Sequence, residues 1–270
     1  MTSLLRSAAL LALALAAAAP AFPASFEVAI SPSRFEVAGK AGARIGQSLT
    51  IHNLGNTATD VSVRTLDWSY SPEGQITYHD ELVPGSCRPW VTLERRTLRV
   101  PQQGRSNFRF QIDIPPEAPR GECRLMLAVE GIEPAYQAQI QSGNASLSLP
   151  VSGRIALAVY VKVGGAEPKL EVNQVGVKSV NGKPTPVITV TNKGDAHGRL
   201  EGGLESTDAK GLRFDLTPES TPILPGQTRT LPLAPRGEAN QKPPEITLPV
   251  RSKGQIDWEL GSFKVDVEFK

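Results

Sequence analysis

The stretch LTIHNLGN, Leu49 to Asn56, returns later in the chain as ITVTNKGD, Ile188 to Asp195. Thr50, Asn53 and Gly55 recur in place as Thr189, Asn192 and Gly194, while Leu49, Ile51 and Asn56 are answered by the near-equivalents Ile188, Val190 and Asp195. Each copy is an alternating run, as an extended strand with one face in a core requires, because successive side chains point to opposite faces. Each then closes on Asn-x-Gly-Asn/Asp, residues that tolerate the backbone needed to reverse the chain. A second pair repeats the order downstream. LRVPQQGRSNFRF (98–110) and PILPGQTRTLPL (222–233) both place Pro before a polar turn and then an alternating strand with a basic residue. The duplication predicts two β-sandwiches of similar topology in tandem; the competing reading is a chance match of common turn grammar.

The rest of the chain agrees with an all-β class. The 24 Gly and 23 Pro punctuate short alternating runs, and no stretch sustains a helical period. In the first half the runs are 26–30, 47–53, 60–68, 75–79, 96–100, 106–114, 124–131 and a long one from Ala145 to Val163. In the second half they are 170–180, 186–192, 198–206, 229–235, 245–250 and 262–269. Gly164 to Lys169, GGAEPK, interrupts the alternation with Gly, Pro and charge, a linker composition. The expected organisation is therefore a leader over 1–21, a β-sandwich over 22–163, a linker over 164–169 and a second β-sandwich over 170–270. So short a linker implies a fixed angle with a groove at the join.

The leader reading rests on Arg6, the apolar run AALLALALAAAA and the small residues APA ending at Ala21, the pattern of a secretory signal peptide. The apolar run is short for a span of about 20 residues, so the expected mature protein is exported and soluble; an uncleaved anchor is the competing reading. Charge is nearly balanced, 29 Lys+Arg against 27 Asp+Glu. With no basic block, a nucleic-acid partner has no electrostatic footprint. Cys87 and Cys123 are the two cysteines. An even count in one half of an exported chain predicts that they are bonded to each other.

Catalysis finds little support. His52, His79 and His197 fit neither HExxH spacing nor a GxSxG elbow, and read as solvent-facing or locally hydrogen-bonded side chains. No cofactor or metal site is expected. Trp68, Trp90 and Trp258 read as core residues in preference to a sugar-stacking platform, given the large area each buries.

Several features together resemble a periplasmic pilus-assembly chaperone of the chaperone-usher type. They are SPSRFEV (31–37), the L-T-I-x-N-x-G turn, the order of WVTLERRTLRVPQQGRSNFRF (90–110), PPEAPRGECRLMLAVEG (115–131) and the alternating run before the linker. The resemblance covers most of residues 26–163; the second half matches only as another immunoglobulin-like sandwich. It implies two tandem immunoglobulin-like sandwiches in a boomerang-like arrangement, and a non-enzymatic protein that lends a strand to an incomplete exported pilin-like subunit, with an outer-membrane usher as a possible further partner.

Carried across by position, the resemblance makes Arg34 the anchor for the subunit's terminal carboxylate. The nearest basic residue for the second anchor is Arg154, although the family's lysine is expected close to Ala156. Leu147, Leu149 and Val151 become the donor positions. Pro150 departs from the pattern, since it removes a backbone donor from a strand meant to pair. The plain alternatives are that Arg34 and Arg154 are surface charges and that Leu147 to Val151 pack their own sandwich. At the level of function, the alternatives are an immunoglobulin-like surface scaffold or, behind it, a carbohydrate-binding module.

Overall fold

The computed structural model describes residues 26–71, 74–132, 136–142, 145–151, 153–237 and 243–270, with 136–142 and 145–151 described as strand backbone only. The segment read as a leader lies outside them. In the first half the strands are β1 (Val28–Ser31), β2 (Arg34–Gly39), β3 (Arg44–Asn53), β4 (Thr59–Tyr70), β5 (Ile76–His79) and β6 (Val91–Leu93). They continue as β7 (Thr97–Val100), β8 (Arg105–Asp113), β9 (Gly121–Gly131), β10 (Tyr136–Ser142), β11 (Ala145–Val151) and β12 (Arg154–Val163). One sheet runs β1-β3-β8-β6; the other runs β2-β12-β9-β4-β5, with β7 also on β4.

Alternation decides which side chains meet between these sheets. Phe108, Phe110 and Ile112 of β8 face Leu125, Leu127 and Val129 of β9 and Leu157, Val159 and Val161 of β12 in one buried core. Phe35 of β2 joins it edge-on to Phe110, with ring centroids 5.0 Å apart. Cys87 is fully buried in the same core and is bonded to Cys123 of β9, their Cα atoms 5.8 Å apart.

The second half contains β13 (Leu170–Val180), β14 (Lys183–Asn192), β15 (Glu201–Thr207), β16 (Arg213–Pro218), β17 (Thr228–Pro235), β18 (Val250–Trp258) and β19 (Gly261–Phe269). Their order is β13-β14-β17-β16-β15-β18-β19, folded over so that β13 lies against β19. Ile188, Leu204, Leu216, Leu231, Ile256 and Phe269 fill the core between the two layers.

The repeated stretch does the same physical work twice. Asn53 and Asn192 end β3 and β14 with buried side chains. Each side-chain oxygen accepts from the backbone N–H of the glycine two residues on, Gly55 and Gly194, at 2.9 Å in both cases. Asn53 Nδ2 donates to the carbonyls of Thr57 (2.7 Å) and Pro101 (3.1 Å); Asn192 Nδ2 donates to those of Ala196 (2.7 Å) and Ile223 (2.8 Å). Their backbone N–H groups reach the second echo, Asn53 to Gly104 O at 2.9 Å and Asn192 to Gln227 O at 3.0 Å. The residues after them, Leu54 and Lys193, donate to Glu27 and Lys169, the latter just ahead of β13. Gly194 is required by close approach, since a Cβ there would lie 2.3 Å from Glu167 O.

Three strand expectations need correction. The long run from Ala145 to Val163 is two strands: β11 pairs with β10 in a separate hairpin, and β12 pairs with β9. The run at 245–250 becomes a strand only at Val250 and then continues to Trp258. β2, β6, β10 and β16 were not among the expected runs.

Between β12 and β13, Gly164 (φ +65°) and Gly165 (φ +74°) adopt the left-handed backbone. Gly164 N–H donates to Gly39 O at 3.0 Å, and Glu167 N–H to Asp195 Oδ1 at 2.7 Å, so the connector is tied to both halves.

A charged sheet face beside an open strand edge

Because Leu157, Val159 and Val161 of β12 point into the first core, Arg154, Ala156, Ala158 and Tyr160 point to the other face of the sheet. Arg34 and Glu36 of β2, Met126, Ala128 and Glu130 of β9, and Arg64, Leu66 and Trp68 of β4 share that face through the strand register. Leu66, Trp68, Met126, Ala128 and Tyr160 form a third buried cluster, closed by Leu224 from the second half. The face is thus one wall of the join between the halves.

Polar contacts complete the join. His197, fully buried, donates Nδ1–H to Glu122 Oε2 at 2.5 Å, and its ring lies 3.9 Å from the Tyr160 ring. Tyr160 takes a 3.3 Å hydrogen bond at its hydroxyl from Arg199; burial pushes its phenol up to about 12. Arg120 pairs with Asp195 at 2.6 Å on the rim. Sequence reading made His197 a solvent-facing or locally hydrogen-bonded side chain. Instead its partner is 75 positions away, in the other half.

Arg34 and Arg154 are built alike. Arg34 Nε donates to Glu36 Oε1 at 2.7 Å, and Arg154 Nε lies 2.5 Å from Glu130 Oε1. Both side chains are about half exposed, and among the described residues their terminal nitrogens meet no acceptor. Burial raises the Glu36 carboxyl, but the Arg34 hydrogen bond and nearby cations outweigh it, leaving Glu36 below the usual carboxylate range. Glu130 is gripped from its other side by Arg64, through Nε and Nη2 at 3.0–3.2 Å, and Arg64 also bonds Asp80. The Glu130 and Asp80 hydrogen bonds hold the Arg64 guanidinium above its ordinary value.

The structure does not bring Arg34 and Arg154 to one point. Arg34 is in register with Ala158, four residues along β12 from Arg154, or about 13 Å at the usual strand rise. Half-buried Ala156 and Ala158 and buried Ala128 floor the space between them.

That register also exposes an edge. β2 covers β12 only from Ala158 to Val163, so among the described residues Arg154–Leu157 pairs on the β9 side alone. Among the described residues β11 pairs only with β10. The side chains of Leu147, Leu149 and Val151 lie outside the described residues; their backbone lies in β11, where Pro150 is in register with Gln137. The three tryptophans sit apart, Trp68 in the join, Trp90 against the first core and Trp258 against the second. They form no common platform.

Glu122, Arg64, Glu130 and Tyr160 were not singled out from sequence. The available signal was the run ALAVYV: the alanines that alternate with its core residues spare the outward face bulk, and Tyr160 breaks that pattern.

No family model matches the sequence, and no curated protein matches it. Solved structures similar to it include the E. coli chaperone DraB, with 18% identity over 91% of this chain and 97% of that one and a TM-score of 0.45. The Pseudomonas aeruginosa CupB2 chaperone has 12% identity over 90% and 100%, with a TM-score of 0.46. The Salmonella enterica SafB chaperone, solved with the SafA pilin, has 13% identity over 91% and 98%, with a TM-score of 0.46.

Proposed function

We propose that the protein is a periplasmic chaperone for exported pilus subunits, holding a subunit by strand addition at the open edge of β12 and by its terminal carboxylate at Arg34. The carrying observation is the uncovered edge at Arg154–Leu157, which stops where β2 begins with Arg34. An uncovered edge presents unpaired N–H and C=O groups, the template on which an extended segment adds. Arg34 stands at the end of that template with a planar fork of donors matched to a carboxylate. In this reading Leu147, Leu149 and Val151 of β11 extend the edge and supply side chains to the subunit, and residues 1–21 direct export. An usher is the further partner to which a loaded chaperone delivers.

Hydrogen exchange tests the edge. The protein is isolated from its native periplasm with whatever subunit accompanies it, and its amides are compared with those of the free protein. Protection confined to residues 145–157 and the start of β2 is expected. Unchanged exchange there, with protection elsewhere, contradicts strand addition.

A further inference from the structure

His197, in the segment between β14 and β15, buries its whole imidazole against the sheet face of the first half. Glu122 Oε2 accepts the His197 backbone N–H at 3.0 Å and lies 2.5 Å from Nδ1. An oxygen that already accepts from the backbone places the ring proton on Nδ1. In a neutral ring Nε2 is then a bare acceptor. It has no hydrogen-bond partner among the described residues, and Glu36 Oε1, a second acceptor, lies 3.7 Å from it. A neutral ring therefore sets a lone pair against a carboxylate in a dry site, whereas an imidazolium donates toward Glu122 on β9 and Glu36 on β2 at once.

The other charged groups around the ring act both ways. Strand register places Tyr160 between Glu36 and Arg124, and Lys162 between Ala38 and Glu122. The Tyr160 phenol, pushed up to about 12, stays neutral, and its ring, 3.9 Å from the imidazole, attracts a cation. Arg199, from His197's own segment, has Nε 3.9 Å from Glu36, and Asp195 on the same segment is paired with Arg120. Burial, Arg199, Arg124 and Lys162 oppose a charge on the ring. Arg199, however, donates to Ser220 O and the Tyr160 hydroxyl, and Arg124 lies over the Trp68 ring. The groups that meet the imidazole nitrogens are the two carboxylates.

We propose that His197 is a proton-operated latch between the halves: protonated on both nitrogens it bridges Glu122 and Glu36, and loss of the Nε2 proton frees the Glu36 side and loosens the join. The carboxylates reach the ring only in the joined fold, so the charged ring stabilises that fold on the acid side of the histidine range. The contribution is lost as pH rises between about 5 and 8. The Arg120–Asp195 pair acts in the opposite sense, losing its contribution in stronger acid. No subunit takes part, so the latch stands apart from the strand-addition reading.

The test is NMR of the protein with isotope-labelled histidine, following the ring nitrogens from pH 5 to 8 with His52 and His79, outside the join, as references. His197 is expected to carry protons on both nitrogens at the acid end and to lose the one on Nε2 as pH rises. A ring that stays neutral, or stays charged, across the whole range overturns the latch. Melting temperature over the same range is expected to fall by about 3 °C toward alkaline pH, the scale of one titrating group in a chain of this length. Glu36→Gln, which keeps Glu122 but removes the second carboxylate, is expected to halve that fall at least, and His197→Gln to abolish it. An equal fall in the unaltered protein and in Glu36→Gln overturns the bridge, and this comparison holds even where His197→Gln does not fold.

Discussion

Nδ1 of His197 lies 2.5 Å from Oε2 of Glu122, and neither side chain has any exposed surface. The two residues belong to different halves, so the pair is a buried polar tie across the join. Removing one member of such a pair leaves the other without a partner in a dry site. Glu122→Ala should therefore cost about 3 kcal/mol, measured by urea unfolding. A loss below about 0.5 kcal/mol, the scale of an ordinary surface change, would show that the tie contributes little.

The repeated asparagines should be energetically equivalent as well as geometrically so. Each fills a buried position and satisfies carbonyls of the following loop and of the second echo. Asn53→Ala and Asn192→Ala should each destabilise by about 2 kcal/mol, because buried carbonyls lose their donor. Thermal denaturation in which one substitution is tolerated and the other is not would contradict the shared role.

The Cys87–Cys123 bond spans a sequence separation of 36. Closing a loop of that size stabilises by about 4 kcal/mol in the chain-entropy account. The double substitution Cys87→Ala/Cys123→Ala should lower the midpoint of denaturation accordingly. Mass spectrometry under non-reducing conditions should find no alkylatable thiol in the folded protein, and two modified cysteines in folded material would refute the bond.

Acid should loosen the join at its rim. The Arg120 hydrogen bond, then the Glu167 amide, hold the Asp195 carboxyl below its ordinary value of 3.8. A carboxyl depressed by folding stabilises the fold above its unfolded value, and that contribution is lost as pH falls through the folded value. The loss thus begins near pH 3.8 and grows below it. Asp195→Asn should flatten the fall of melting temperature across this acid window. An unchanged slope would mean that the pair does not couple to stability.

How much of this was legible in the sequence depended on the range of the interaction. Phe108, Phe110 and Ile112 were readable because each alternates with polar neighbours, and the Asn-x-Gly turns were readable because their hydrogen bonds close within a few residues. The break between β11 and β12 was not, since alternation runs unchanged through both strands and only Ser152-Gly153 interrupts it. Arg34 came forward by resemblance alone. His197 was misplaced because its environment is made by Glu122 and Tyr160, residues of the other half that no local pattern connects to it. The same holds for Glu130, whose two arginines arrive from β4 and β12.

The central claim is that Arg34 anchors the carboxylate of a captured subunit. Its side chain is half exposed and the one ion pair it makes among the described residues, with Glu36, is partly exposed, so Arg34→Ala should change stability by no more than about 0.5 kcal/mol. The decisive measurement is the amount of subunit recovered with the tagged protein from the native periplasm, Arg34→Ala against unaltered protein, with melting temperature recorded for both. The account predicts equal melting temperatures and a recovery reduced at least about tenfold, the scale of a charge-assisted contact at the end of a paired strand. Equal melting temperatures with undiminished recovery of every partner would contradict it.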